Sequence, residues 1–581
     1  MAGAKLLKYL SPYIWPLLLM AVFIYCQVSA TLALPDYMAR IINEGILGKN
    51  TETIFNYGLI MILIAIGGGL VTVGVNYLSS RIGTGFAKDL RNAIFTKIEN
   101  FSLVEFNKFS TASLITRTTN DVQQIQMVLT MLFRLALIAP ITGILATFKA
   151  YHLAPSMTWI MGVAVVALIS IIALIFKMVT PKFTQLQKLL DKLNLVTREI
   201  LTGLRVIKAF NKEKHEEEKF NKVNKDLAQL NVFVGRLMML LQPVMMLILN
   251  FMMIAVVWFG AYQIGLGNIQ VGNMLAFLQY SVQAVSAFLM ISIIFIAIPR
   301  ASVSANRITE VLETDVQIKD PVKPRKAPKK GGKVEFKNVT FTYPGAAEPV
   351  LHNISFIALP GQTTAFIGST GSGKSTILNL IPRFYDVTEG QVLVDDVDVR
   401  DMKQRDLRAR IGYVSQKAML FSGTIKENIA YGNPDATEEE IFRAAATAQA
   451  LEFIKELEQK FDSSVAQAGS NFSGGQKQRL AIARALAKNP ELYLFDDSFS
   501  ALDFKTDATL RSTLRKESKG KTVLIVTQRI GTIMDADKII VIDAGKIVGE
   551  GTHKELLSTC KIYREIATSQ LPPEKLAKDL T

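Results

Sequence analysis

At 581 residues the chain is longer than one compact domain usually is, so at least two domains are expected. Half of its residues are hydrophobic, its mean hydropathy is positive, and the apolar residues crowd into the first 300 positions, which argues against an ordinary soluble protein. A net charge of +15 invites a nucleic-acid partner, but many of the Lys and Arg fall in loops between hydrophobic runs, and that partner is excluded below. The two cysteines, Cys26 and Cys560, form no disulfide framework and place the second half in a reducing cytosol.

In chain order, Lys5–Leu10 with Pro12 behind it reads as a short amphipathic helix on a membrane surface. Six windows long enough to cross a bilayer follow, at 13–35, 55–78, 128–148, 155–176, 237–262 and 273–297. The first is too long for a signal peptide and is followed by five more. The loop between windows two and three carries Arg81, Lys88, Arg91, Lys97, Lys108 and Arg117. The loop between four and five runs from Lys182 to Lys225 and is denser in Lys and Arg, whereas Gln263 to Gly272 carries no charge. The positive-inside tendency then puts both termini and both long loops in the cytoplasm. These loops read as helical continuations of the spans, either solvated hairpins or elements whose tips rest on a cytoplasmic domain.

Within the spans, methionines at 238/239, 245/246 and 252/253 repeat every two helical turns and so form stripes on one face each. They suit an adaptable binding surface or plain helix packing. Arg134, Asn250 and Gln283 are costly in hydrocarbon and point to a cavity or to hydrogen bonds between helices. The membrane domain is placed at 1–315. A linker at 316–332 includes the Pro-, Gly- and Lys-rich run Asp320–Gly332, expected to be an extended tether.

The remainder, 333–581, has the pattern of an α/β domain. The apolar strand Thr364–Ile367 leads into Gly368-Ser369-Thr370-Gly371-Ser372-Gly373-Lys374-Ser375-Thr376 and then an apolar helical run. This is a P-loop in its required setting: glycines let backbone N–H groups curl round phosphates, Lys374 reaches the β- and γ-phosphates, and Ser375 ligates Mg²⁺. A second buried strand, Leu492–Phe495, ends in Asp496-Asp497, where a second Mg²⁺ anchor belongs. Between them Phe472-Ser473-Gly474-Gly475-Gln476 opens the helix Lys477–Leu486 and forms another anion-binding helix start. One domain does not easily aim both at one nucleotide, so a partner domain is expected to supply the second.

On these motifs the chain resembles a half-transporter of the ABC exporter family, over nearly its full length. The resemblance implies six transmembrane helices fused to an α/β P-loop ATPase domain, with ATP and Mg²⁺ as cofactors. It further implies that Tyr343 stacks on adenine, that Gln416 lies near Mg²⁺ beside Asp496, that Phe472–Gln476 is the signature, and that Asp503 closes the D-loop Ser500–Asp503. Ser113–Arg117 and Gly203–Phe210 resemble stretches near the coupling helices.

Three departures qualify this. Asp497 stands where the family usually has a catalytic glutamate, Gln528 stands for the switch histidine, and Gln467 replaces a common glutamate before the signature. A general base must lie within hydrogen-bond reach of its proton, and aspartate is one methylene shorter. The expected function is ATP-driven export of amphipathic small molecules, multidrug-type, by one half of a heterodimer in a bacterial plasma membrane. This chain would contribute a degenerate ATP site and complete the partner's site with its signature. Expected partners are a second half-transporter, membrane lipid and a hydrophobic substrate. The alternatives are a lipid or peptide exporter, or an ATP-gated channel-like subunit. Six spans exclude a soluble nucleic-acid ATPase.

Overall fold

A computed structural model describes residues 5–328, 331–574 and 576, with the backbone alone at 289 and 291–300. The chain divides into two compact units, Met1–Glu99 with Thr111–Thr314, and Asn100–Ser110 with Asp315–Thr581.

The first unit is helical. Its long helices are Ile14–Arg40, Thr51–Glu99, Val122–Leu153, Thr158–Thr202, Glu213–Gly265 and Val271–Glu313. Among the described residues, five helical stretches are long and apolar enough to cross a membrane, and they contain the first five expected spans. The sixth, 273–297, falls on helix Val271–Glu313, where residues 289 and 291–300 lie outside the described side chains, so five rather than six spans are counted. Four helices far outrun a bilayer: the one of 49 residues rises roughly 70–80 Å against a hydrocarbon core of roughly 30 Å. The basic loops are therefore helical continuations of the spans. The amphipathic start includes a 3-10 helix, Leu7–Tyr13, with Leu6 and Leu10 buried and Pro12 inside it.

Close helix approach needs small residues here. A Cβ on Gly83 would lie 2.2 Å from Thr130 Oγ1, and the neighbouring Ser79 hydroxyl donates to the Thr130 carbonyl at 3.0 Å. One charge pair lies inside the bundle: Lys149 and the Tyr280 hydroxyl both bond Asp36. The methionines split by face. Met252 is buried and Met238 packs with Ile175, Val179 and Val234, while Met239 and Met246 stand 77% and 64% exposed.

The second unit is built on strands β1 (Val334–Phe341), β2 (Leu351–Ala358), β3 (Thr363–Gly368), β4 (Glu389–Val394), β5 (Val397–Asp398), β6 (Ile411–Val414), β7 (Gly423–Thr424), β8 (Ser464–Val465), β9 (Leu492–Asp496), β10 (Thr522–Val526), β11 (Lys538–Asp543) and β12 (Lys546–Gly551). The main sheet runs β12-β11-β3-β10-β9-β6, parallel except for β12. An antiparallel sheet β2-β1-β4-β5 and the pair β7-β8 flank it. The central strands are buried nearly throughout, as parallel strands covered on both faces must be. One apolar core gathers Phe336, Phe356 and Phe366; another gathers Leu480, Ile482 and Phe495. Register places Phe366 and Asp496 on either side of Val526, so the C-terminal ends of β3, β9 and β10 lie together, where such sheets bind ligands.

The linker lies along this unit rather than hanging free. Gln404 N donates to Asp320, Arg325 N to the Asp401 carbonyl, and Arg410 to the Pro328 carbonyl. Arg410 also bonds fully buried Asp395 at 2.6 Å. Helix Leu103–Lys108 packs with the second unit too. It is started by a Ser102/Glu105 capping box, and Asn107 Nδ2 donates to the Tyr385 hydroxyl at 3.1 Å. Glu105 accepts from Gln317 N at 3.0 Å; burial works to raise its carboxyl, but the Ser102 and Gln317 hydrogen bonds outweigh it and hold it low.

Candidate functional site

The P-loop spans the end of β3 and helix Lys374–Leu380. Its glycines are required by geometry. A Cβ on Gly368 would sit 1.9 Å from the Ile542 carbonyl oxygen, and Gly373 has φ +96°. Gly371 is also left-handed, at φ +82°, beside exposed Thr370. Lys374 is curled into the loop: Nζ donates to the carbonyls of Gly368 (3.0 Å) and Ser369 (2.6 Å) and to Ser372 Oγ (3.3 Å). Burial lowers its ammonium pKa, and the charges of Asp497 and Asp496 oppose that shift. These three bonds are ones phosphate oxygens are suited to replace.

The Ser375 hydroxyl donates to Asp496 Oδ1 at 2.7 Å, so the two expected Mg²⁺ ligands meet. Burial pushes the Asp496 carboxyl up; the Ser375 hydrogen bond works against this and the Asp497 charge adds to it. Asp497 follows with φ +45°, its N–H donating to the Val526 carbonyl at 2.8 Å. Gln416 Nε2 approaches Asp497 Oδ2 at 3.4 Å, while Asp497 Oδ1 is buried without a hydrogen-bond partner. An orphaned buried carboxylate oxygen beside a hydroxyl, a carboxylate and an amide fits a hydrated Mg²⁺ and its water. Among the described residues no cluster of three His, Cys, Asp or Glu offers a different metal site.

Tyr343 reaches the same loop, its hydroxyl 3.0 Å from Thr376 Oγ1. The edges of Phe341 and Tyr385 hold its ring, with centroids 4.8 and 5.2 Å away. The structure therefore assembles Tyr343, the P-loop, Gln416, Asp496 and Asp497 into one site.

The signature residues are bonded elsewhere. Ser473 caps helix Gly474–Ala487 in a reciprocal box with Gln476, Gly475 lies against the Ala501 carbonyl, and Phe472 is buried against Phe453. Asp503 caps helix Phe504–Glu517, and the Thr506 N–H holds its carboxyl below the usual range. The Gln528 side chain is exposed and its carbonyl accepts from Gln570 Nε2.

Two residues were not anticipated. Arg529 donates to the Ser500 (2.7 Å) and Leu502 (3.4 Å) carbonyls, joining the loop after β10 to the D-loop. Gln570 binds the same loop from the C-terminal helix. The adjacency of Arg529 to Gln528 was the only sequence signal for either.

Comparison with known proteins agrees with this assembly. Residues 17–288 match the ABC transporter transmembrane region and 351–500 match the ABC transporter domain. An uncharacterized ABC transporter ATP-binding protein of Mycobacterium tuberculosis (strain CDC 1551 / Oshkosh) is 44% identical, covering 95% of this chain and 96% of that protein. An ATP-dependent lipid A-core flippase of Syntrophus aciditrophicus (strain SB) is 31% identical over 96% and 93%. The structure of a bacterial Atm1-family ABC exporter with ATP bound superimposes with a TM-score of 0.80, at 27% identity, covering 97% of this chain and 99% of that one. The chain thus belongs to the ABC transporter family, as an exporter: an integral membrane protein whose transmembrane domain is fused to an ATP-hydrolysing domain on the cytoplasmic side.

Proposed function

We propose that this exporter moves amphipathic molecules bearing an anionic head out of a bacterial plasma membrane, working as one half of a heterodimer. Arg134 carries the substrate class. It opens onto a polar cleft of about 400 Å³ between helices Thr51–Glu99 and Val122–Leu153, lined also by Asn76, Ser79, Gln123, Gln126 and Thr130. A guanidinium in a span costs roughly 2.5–3.5 kcal/mol on insertion scales. Here its hydrogen bond goes to neutral Asn76, at 3.1 Å, and among the described residues no carboxylate pairs with it. An anionic headgroup supplies that charge, while the exposed Met239 and Met246 suit an adaptable apolar tail. The relative named as a lipid A-core flippase is in keeping with a lipid-like cargo.

The test is ATP-driven transport in liposomes of a labelled anionic amphiphile against zwitterionic and cationic analogues. The anionic probe is expected to move fastest, and Arg134→Ala to remove that preference. Equal transport of a cationic dye, unaffected by Arg134→Ala, would leave the broad multidrug reading in its place.

ABC exporters act as dimers, and the heterodimer reading is favoured by Asp497 and Gln528. In this reading ATP draws two ATPase domains together, with Ser473–Gln476 closing on the partner's nucleotide. Ser375, Asp496 and Gln416 would hold Mg²⁺, which would supply charge neutralisation to the nucleotide's phosphates. Lys374 holds the same phosphates, Tyr343 orients the base, and Asp497 orients water from a withdrawn position. Helix Leu103–Lys108 transmits closure to the spans, and hydrolysis at the partner's site resets the cycle. Full ATPase activity of the chain purified alone would sink the heterodimer and leave the exporter standing.

A further inference from the structure

We infer that Gln570, the last residue of the C-terminal helix Lys561–Gln570, is a positioning residue for the loop after β10 and sets where residue 528 stands in the ATP site. The strand ends at Val526, Thr527 N still bonds the Phe366 carbonyl, and the chain then leaves the sheet through Gln528 and Arg529 into the short helix Ile530–Ile533. Two backbone groups of this segment lack a partner from secondary structure: the Gln528 carbonyl, which is past the ladder, and the Ile530 N–H, which is at a helix start. The Gln570 amide meets both. Its Nε2 donates to Gln528 O at 2.7 Å and its Oε1 accepts from Ile530 N at 2.8 Å.

A primary amide presents one donor and one acceptor side by side, so it binds these two groups as a neighbouring strand would. The amide is delivered by a helix that is itself seated, because Tyr563 and Ala567 of that helix are fully buried in the ATPase core. The path continues inward. Arg529 donates to the Ser500 and Leu502 carbonyls, and the Ser500 hydroxyl donates to the Asp497 carbonyl at 2.8 Å. The C-terminal helix is thereby joined, through hydrogen bonds and the peptide link from Gln528 to Arg529, to both residues at which this site departs from its family, 528 and 497. An exposed side chain packed only for stability has no need of both bonds.

The test is made on the full-length chain in lipid. In the wild type, Gln570→Ala is expected to raise amide hydrogen exchange at Ile530 by about tenfold, with the thermal midpoint unchanged. In a chain carrying Asp497→Glu and Gln528→His, which is expected to give this site measurable turnover, Gln570→Ala is expected to lower kcat about three- to tenfold, the size of one neutral hydrogen bond, and to leave KM for ATP within about twofold. Gln570→Glu separates positioning from space-filling: it keeps the shape and the acceptor for Ile530 but sets an anion against the Gln528 carbonyl oxygen. It is expected to lower kcat as much as alanine while Ile530 stays protected. Unchanged exchange at Ile530 in Gln570→Ala would overturn the inference. So would a fall in kcat of the same size when residue 528 is alanine, because Gln570 would then act without residue 528.

Discussion

The two ends of the ATP site are built differently. At the cradle end, Lys374 makes three hydrogen bonds, Ser375 bonds Asp496, and Tyr343 is held by two rings and the Thr376 hydroxyl. At the water end, Asp497 sits on a left-handed backbone with one oxygen unpartnered, its nearest amide is 3.4 Å away, and the Gln528 side chain is exposed. Binding a nucleotide needs donors aimed at phosphates, which short-range chain geometry supplies. Activating water needs a base at the right reach, and an aspartate is one methylene shorter than a glutamate. On the reading proposed above, such a site holds ATP and turns it over slowly.

Restoring the water end has the largest expected effect. The double variant Asp497→Glu, Gln528→His should raise the ATPase rate of the chain in lipid by about 10²-fold, the lower range for a positioned base. No gain would mean the two ends differ less than their geometry indicates. Damage to the cradle comes next. Lys374→Ala removes hydrogen bonds from a charged group, so binding of a fluorescent ATP analogue should weaken by about ten- to a hundredfold, with turnover of the heterodimer proposed above only partly reduced. Tyr343→Phe keeps the ring and loses the Thr376 contact, which predicts affinity down by about two- to twelvefold. The smallest effect sharpens the comparison most: Asp497→Asn should change the steady-state rate by less than about threefold, because the carboxylate contributes little from where it stands. A hundredfold loss there would make Asp497 a working base and this site the catalytic one.

The same contrast separates what was readable in advance from what was not. The P-loop, the Asp496–Asp497 strand tip and the signature helix were legible because each is a contiguous run whose chemistry depends on its own spacing. The contacts of the linker were not legible. Asp320–Gly332 has the composition of a free tether, yet Asp320, Arg325 and Pro328 hydrogen-bond to residues 76 to 84 positions onward. Composition reports what a segment is able to do when alone, and nothing about which surface lies beneath it.

The membrane half shows the limit from the other side. Hydropathy located the first five spans because the hydrocarbon thickness imposes a length that any single helix must meet. The seven-residue spacing also showed that each methionine set shares a face. Only packing decided that Met252 turns inward while Met239 and Met246 stay exposed, and that Arg134 shares a cleft with Asn76, 58 positions earlier in the chain. Likewise, sequence alone showed the membrane-plus-ATPase architecture and, through the family resemblance, singled out Asp497, Gln528 and Gln467 as departures. Tertiary structure decided that helix Leu103–Lys108 packs with the ATPase unit, that Arg529 reaches the D-loop, and that Gln570 holds the loop carrying residue 528. Motifs are local and can be read along the chain; these contacts join residues up to 278 positions apart and exist only once the fold has brought them within hydrogen-bond distance.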